Sequence, residues 1–315
     1  MGHLIEYGVW AVPFNLNLCM AKPNRKWSQL VETSNANPQL LHGSDFLHDL
    51  IRVLKLNVTT CHSLVLKFLP QMEHIFKEVI SMYKFISTTI SGLVQEQGTE
   101  VSKQPIVNLM RTVKRESLNL TSTWIARTSG CRWIDLKGVS KANGRNFVAQ
   151  VFDHVVLAFI DVVLRDYKNS VPDSRKPKVF TLRTITMIAF KEKFACHFEK
   201  IMEIVLVPTS EMIQDENLHY PELCVDFIQM LYLATTWSFG NVIQLPEKML
   251  GLIVQSLRWA LQHTIRTVAK IGIQMITEFV KRLREYPQQQ RQTTILHQVL
   301  HGESNNDLIL SFLKI

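Results

Sequence analysis

Apolar residues recurring every three or four positions, the near absence of strand-like alternation, and breaks only a few residues long predict an all-α chain of stacked antiparallel helix pairs. From Pro70 onward, Ile75, Phe76, Val79, Met82, Tyr83, Ile86, Ile90 and Leu93 trace one stripe, with Lys77, Glu78, Ser81 and Lys84 mostly off it. Gly98-Thr99 interrupts the run. Pro105 suits a first helical turn, because its missing N–H would be unpaired there anyway, and Ile106, Leu109, Met110, Val113, Leu120 and Trp124 follow in phase. Similar stripes run over 147–164, 179–194, 222–237, 246–261 and 268–283, separated by breaks at 170–173, Tyr220-Pro221 and Leu245-Pro246.

Helices of roughly 15 to 25 residues joined by such turns stack as pairs. A pair with its turns takes ~40–47 residues in HEAT-type arrays, so the chain has room for about seven repeats. One pair cannot bury both of its stripes, so each repeat leans on its neighbours. A compact helical bundle is the rival arrangement, but so many long helices in succession fit a superhelical solenoid better. Two stretches fall outside the pattern. Residues 128–146, with Cys131, Trp133, Gly138, Gly144 and several basic residues, read as a basic insertion, either a loop or a short extra helix. Residues 286–315 read as a diverged tail entered through the polar YPQQQR stretch.

Hydrophobic residues make up 46% of the 315 and charged residues 20%, enough for a sizeable core and against disorder. The nearly uncharged stretch from Tyr7 to Met20 is too short to span a bilayer and lacks a basic leader, so a soluble intracellular protein is expected. The cysteines at 19, 61, 131, 196 and 224 form no close pair, and Cys196-His197 alone is not a metal site; reduced structural thiols and no bound metal or cofactor are the expectation. The net charge of +8 is uneven: residues 100–195 hold 17 Lys+Arg against 8 Asp+Glu, and the remainder 18 against 19. Such a belt steers acidic partners or holds nucleic acid loosely. It lacks the Gly-aromatic and Cys/His spacings of sequence-specific nucleic-acid readers. No P-loop, HExxH, GxSxG or GxGxxG occurs, and an array of helix pairs offers few deep pockets, so binding is expected in place of catalysis.

Several blocks carry a resemblance, all in one order. Asn24, Lys26 and Trp27 come first, then Arg52-Val53-Leu54-Lys55 with Asn57-Val58 and Cys61, and Phe68-Leu69-Pro70-Gln71 with Tyr83. The longest is Ser102-Lys103-Gln104-Pro105-Ile106 with Met110 through Glu116. Asp166-Tyr167 with Val171-Pro172 and Arg175, Glu211-Met212-Ile213 with Tyr220-Pro221-Glu222, and Trp259-Ala260 with His263-Thr264, Arg266, Val268-Ala269 and Gly272 complete the series. Over residues 20–285 the chain resembles the later part of the exportin-1 family, nuclear export receptors of the importin-β superfamily.

The resemblance implies a HEAT-repeat solenoid with no enzymatic activity. The implied partners are the small GTPase Ran in its GTP form, export-signal cargo proteins and nucleoporins, and the implied setting is shuttling between nucleus and cytoplasm. In the family each ligand favours the same curvature, so each raises the other's affinity. The family's main Ran contact and its export-signal groove lie upstream of the matching region, and none of the five cysteines maps to the groove's reactive one. Residues 1–285 therefore correspond to the later repeats, which brace the ring and add secondary contacts. The chain departs from the pattern at Leu223-Cys224, where the family has His-Arg, and at Pro208, expected to kink an otherwise unbroken helix. It also departs in the longer basic stretch 130–145, in extra residues between 147 and 166, and beyond Glu285. A helical interaction scaffold without transport activity, or a remnant, stays open as the alternative, with loose nucleic-acid binding behind it.

Arg111, Lys114 and Arg115, at i, i+3 and i+4, share one helix face and are the candidate partner-binding basic face; a solvated helix surface alongside Glu116 is the plainer account. Trp259 and His263 read as inter-repeat packing or a binding platform. Gly272, inside an apolar stripe, predicts a closely approaching helix. Asp166-Tyr167 reads as a helix end.

Overall fold

The computed structural model describes residues 16–130, 156–170, 175, 177–190, 194–214 and 220–285. Every regular element among the described residues is helical. The chain divides into two compact units, residues 1–189 and 190–315. The insertion expected at 128–146 lies outside the described residues from 131 onward, as do residues 286–315.

The first unit holds α1 (Leu16–Ala36), α2 (Ser44–Gln97), α3 (Pro105–Gly130), α4 (Leu157–Asn169) and α5 (Lys178–Ala189). Two single-turn 3₁₀ segments, Pro38–His42 and Thr99–Lys103, join the first three. Gly98 ends α2 at φ 82°, a left-handed conformation that a side chain would strain, which is why the break expected at Gly98-Thr99 falls there.

The 54-residue run of α2 is longer than any helix the sequence predicts, and it is not a straight rod. Two neighbouring residues of α1 grip it at widely separated points: Lys26 Nζ donates to Asp49 at 2.8 Å and Ser28 Oγ donates to Glu78 at 2.9 Å. In a straight helix residues 49 and 78 would stand ~43 Å apart, beyond the reach of two side chains on one turn of α1. The run therefore bends between them. Pro70, which can give no N–H to the helical ladder, lies in that interval.

The pairing follows one rule. Phe76 of α2 meets Trp124 of α3 at 5.7 Å between ring centroids, whereas Tyr83, seven residues later, meets Lys114, ten residues earlier, so α2 and α3 run antiparallel. Phe76 also meets Phe159 of α4, and Tyr83 meets Asp166, so α4 runs parallel to α2. Helix α5 returns along α4 through an edge-on contact of Tyr167 with Phe180 and packs against α3. First helices thus stack on first helices and second on second, the HEAT arrangement.

The second unit repeats the rule. It holds α6 (Phe198–Gln214), α7 (Pro221–Trp237), the short α8 (Phe239–Ile243), α9 (Glu247–Gln262) and α10 (Arg266–Glu285). Helix α6 packs on α9 and α7 on α10. Pro221 occupies the first turn of α7, as its fixed φ favours. Pro208 sits inside α6, whose helical run continues to Gln214 although the proline denies the Ile204 carbonyl its donor. A Cβ built on Gly272 of α10 would lie 3.1 Å from the Ala260 Cβ and 3.3 Å from backbone of α9, so the close approach foreseen at Gly272 is made by α9. Both units are all-α HEAT-type stacks. No helix among the described residues is long and apolar enough to cross a membrane.

Candidate functional site

Three helices of the first unit bring one polar cluster together inside an aromatic wall. Tyr83 comes from α2, Lys114 from α3 and Asp166 from α4. Lys114 Nζ lies 2.7 Å from the Asp166 carboxylate and 5.2 Å from the centroid of the Tyr83 ring, and the Tyr83 hydroxyl donates to Asp166 Oδ2 at 2.9 Å. Phe159 closes one side, edge-on to Tyr83 at 5.5 Å. The two charged side chains are 7% and 11% exposed, so this is a buried ion pair in which the ammonium also rests near an aromatic face.

Burial pushes the Lys114 ammonium below the usual lysine value, with Asp166 pulling the other way. The Tyr83 phenol is held well above its ordinary value, first by burial and then by the Asp166 charge and hydrogen bond.

The predicted basic face is divided by the structure. Lys114 is inside, and Arg111 is buried as well, 9% exposed. Arg115 remains outward, half exposed and 3.2 Å from Glu116, whose own carboxylate is buried and also accepts from Asn119 Nδ2 at 3.0 Å. Arg183 of α5, another cation of the 100–195 belt, is 3% exposed, and burial brings its guanidinium down to about 9, still protonated at neutral pH. Part of the belt's charge therefore lies in the core instead of on a surface.

Above the cluster a groove of about 440 Å³ opens between α2 and α4. Lys84, Ser87, Thr88 and Ser91 of α2 line one bank, and Val162, Arg165, Asp166 and Asn169 of α4 the other. Lys84 is exposed, Arg165 ion-pairs with Asp161 one turn away, and the buried Ser87 Oγ has no hydrogen-bond partner among the described residues. With Asp166 paired to Lys114 and Arg165 to Asp161, the groove is lined by hydroxyls, an amide, the Lys84 ammonium and the apolar Val162.

A family model described as CRM1 C terminal matches residues 71–300. The chain belongs to that family. Tyr83, Lys114 and Asp166 all fall in the matched range, so the cluster and its groove are features of a CRM1 C-terminal region. The chain is 26% identical over 269 residues to Exportin-1 of Drosophila melanogaster, covering 85% of this chain and 24% of that protein. It is 29% identical over 270 residues to Protein EXPORTIN 1B of Arabidopsis thaliana, covering 86% and 24%. With Exportin-1 of Schizosaccharomyces pombe it shares 28% over 264 residues, covering 84% and 23%. It thus spans about a quarter of the length of the curated relatives it matches, and it is an exportin-1-like protein.

Within this exportin-1-like chain, Asp166 does lie near a helix end, since its carbonyl accepts from Ser170 N–H at 2.9 Å, but its side chain is also the partner of Lys114. The spacing of α3 carried a signal for that burial. Lys114 falls four residues after Met110 and seven after Val107, in phase with the buried face. Trp259 and His263 stack edge-on at 4.4 Å, and His263 Nδ1 accepts the Ile265 N–H at 2.9 Å, so the pair shapes the α9–α10 turn.

Proposed function

We propose that this chain acts in protein export from the nucleus as a partial exportin-1-type receptor, binding Ran-GTP and export-signal cargo through the surfaces of its helix pairs. The observation that carries the reading is membership of the CRM1 C-terminal family over most of the chain. Stacked helix pairs present long continuous surfaces, suited to macromolecular partners more than to a reaction centre. Residues 1–285 form the repeat region in this reading and 286–315 a diverged tail. The protein shuttles between nucleus and cytoplasm, meets nucleoporins on the way, and works by binding, with no cofactor. Of Arg111, Lys114 and Arg115, Arg115 is the one that offers charge to a partner, while Lys114 fixes the helix that carries it.

The test is retention of the purified chain on immobilised Ran locked in its GTP form, with and without an export-signal peptide. Retention that rises when both ligands are present is expected, because coupled ligands strengthen each other. Arg115→Glu should weaken it. No retention under either condition would overturn the reading and favour a helical scaffold without transport activity.

A further inference from the structure

The outward face of α10 carries a row of exposed residues, four of them cations, that form no ion pair with any other described element. Residues 266, 270, 273, 277, 281 and 284 fall within ~80° of arc at 100° per residue, and all six are exposed. They are Arg266, Lys270, Ile273, Thr277, Lys281 and Arg284, with no carboxylate among them. None of the four cations has an ion pair among the described residues; the helix's one internal pair, Arg282 with Glu278 at 2.6 Å, lies off the row. The opposite face is buried through Val268, Ile271, Gly272, Met275, Ile276, Phe279 and Leu283, which fixes the rotation of the helix.

The row has a pattern as well as a sign. Arg266 and Lys270 sit ~6 Å apart along the axis, Lys281 and Arg284 ~4.5 Å apart, and ~16 Å separates the two pairs. The gap is apolar at its centre: Ile273 is 45% exposed, and Thr277 turns its hydroxyl to the Ile273 carbonyl at 2.8 Å.

We propose that this ridge docks an acidic protein segment with carboxylates at both ends and an apolar side chain between them. Two cation pairs flanking a bare isoleucine match such a segment by charge and by hydrophobicity. A phosphate backbone would prefer unbroken charge, and the row has no aromatic side chain on which a base could stack. The ridge stands on its own charge pattern and does not depend on Ran or export-signal binding.

The test uses the full chain and fluorescent synthetic peptides. One peptide has two Glu residues at each end and a central Leu; a second replaces Leu with Ser; a single-stranded oligonucleotide and phosphatidylserine vesicles serve as rival polyanions. The Leu peptide should bind at low salt. Arg266→Glu/Lys270→Glu and Lys281→Glu/Arg284→Glu should each weaken it about tenfold or more, as expected for reversing paired interfacial charges. Ile273→Ser should weaken the Leu peptide about threefold or more and leave the Ser peptide unchanged, the signature of a buried apolar contact. Lys270→Gln and Lys281→Gln, which add no new charge, should show the same direction, and unaltered thermal melting should accompany all variants. Absence of peptide binding, binding indifferent to both reversals, or oligonucleotide or vesicle binding through the ridge at least as tight as the peptide's would each overturn the proposal.

Discussion

Helices α3 and α10 carry similar numbers of cations and dispose of them in opposite ways. On α3, Arg111 and Lys114 lie on the buried side together with Glu116, and the helix is held partly by charge. On α10 the buried side is wholly apolar apart from Gly272, and the four cations without an ion pair among the described residues face outward. The difference lies in phase. A cation three or four residues from the apolar positions is drawn into the interface and must find a partner there; one half a turn away is free to meet something else. Counting charges along a chain therefore says little about binding until each is placed on its helix. The net charge of residues 100–195 overstates an outward belt, while the near-neutral remainder conceals the α10 ridge.

The comparison can be broken most directly at Lys114. Lys114→Met removes the partner of a buried carboxylate and should destabilise the first unit by about 3–5 kcal/mol in urea unfolding. Adding Asp166→Asn should recover much of that loss, because both charges are then gone; failure to recover would show that the pair is not what the substitution disturbs. Next comes the inner face of α10. With a Cβ only 3.1 Å from Ala260, Gly272→Val should cost about 1–3 kcal/mol through overpacking, whereas a neutral result would mean that α9 yields easily.

Tyr83→Phe keeps the ring beside the ammonium and loses only the hydrogen bond to Asp166, for a loss of about 1 kcal/mol. The same residue gives a pH test. Its phenol is held well above 10.0, so the folded chain keeps a proton that the unfolded chain releases. Its stabilising contribution is complete below pH ~10 and is lost as pH rises through the higher folded value. Buried Lys114, shifted downward, works in the opposite direction over the alkaline range. Ultraviolet titration of the folded chain should show a late tyrosine step that Tyr83→Phe removes. The smallest effect is expected on the outer face of α10. Reversing Lys270 and Lys281 should change stability by less than about 0.5 kcal/mol. A large loss there would mean that the ridge is structural, and the contrast with α3 would fall.

Much of this was legible in the sequence. Ile75, Phe76, Val79, Met82, Tyr83, Ile86 and Ile90 are all buried as their spacing requires, and Gly98, Pro105, Pro221 and Pro246 stand at the helix boundaries expected of them. The two-layer stacking followed from the succession of long amphipathic helices. The bend in α2 was not legible as such, because the grips of Lys26 and Ser28 that reveal it lie far away in sequence. The partner of Lys114 was hidden for the same reason: local spacing can place a side chain on a face, but not name what covers that face. The α10 ridge was hidden by averaging, since the acidic residues elsewhere cancel its charge in any whole-segment sum.

The distance in sequence between Lys114 and Asp166 also bears on how the chain is made. Lys114 leaves the ribosome 52 residues ahead of the carboxylate that neutralises it. At typical synthesis rates that is an interval of ~3–10 s during which α2 and α3 can pair only by leaving an ammonium wet or burying it alone. The nascent hairpin should therefore stay loose until α4 emerges, and a chaperone that shelters amphipathic helices would find its client in that window.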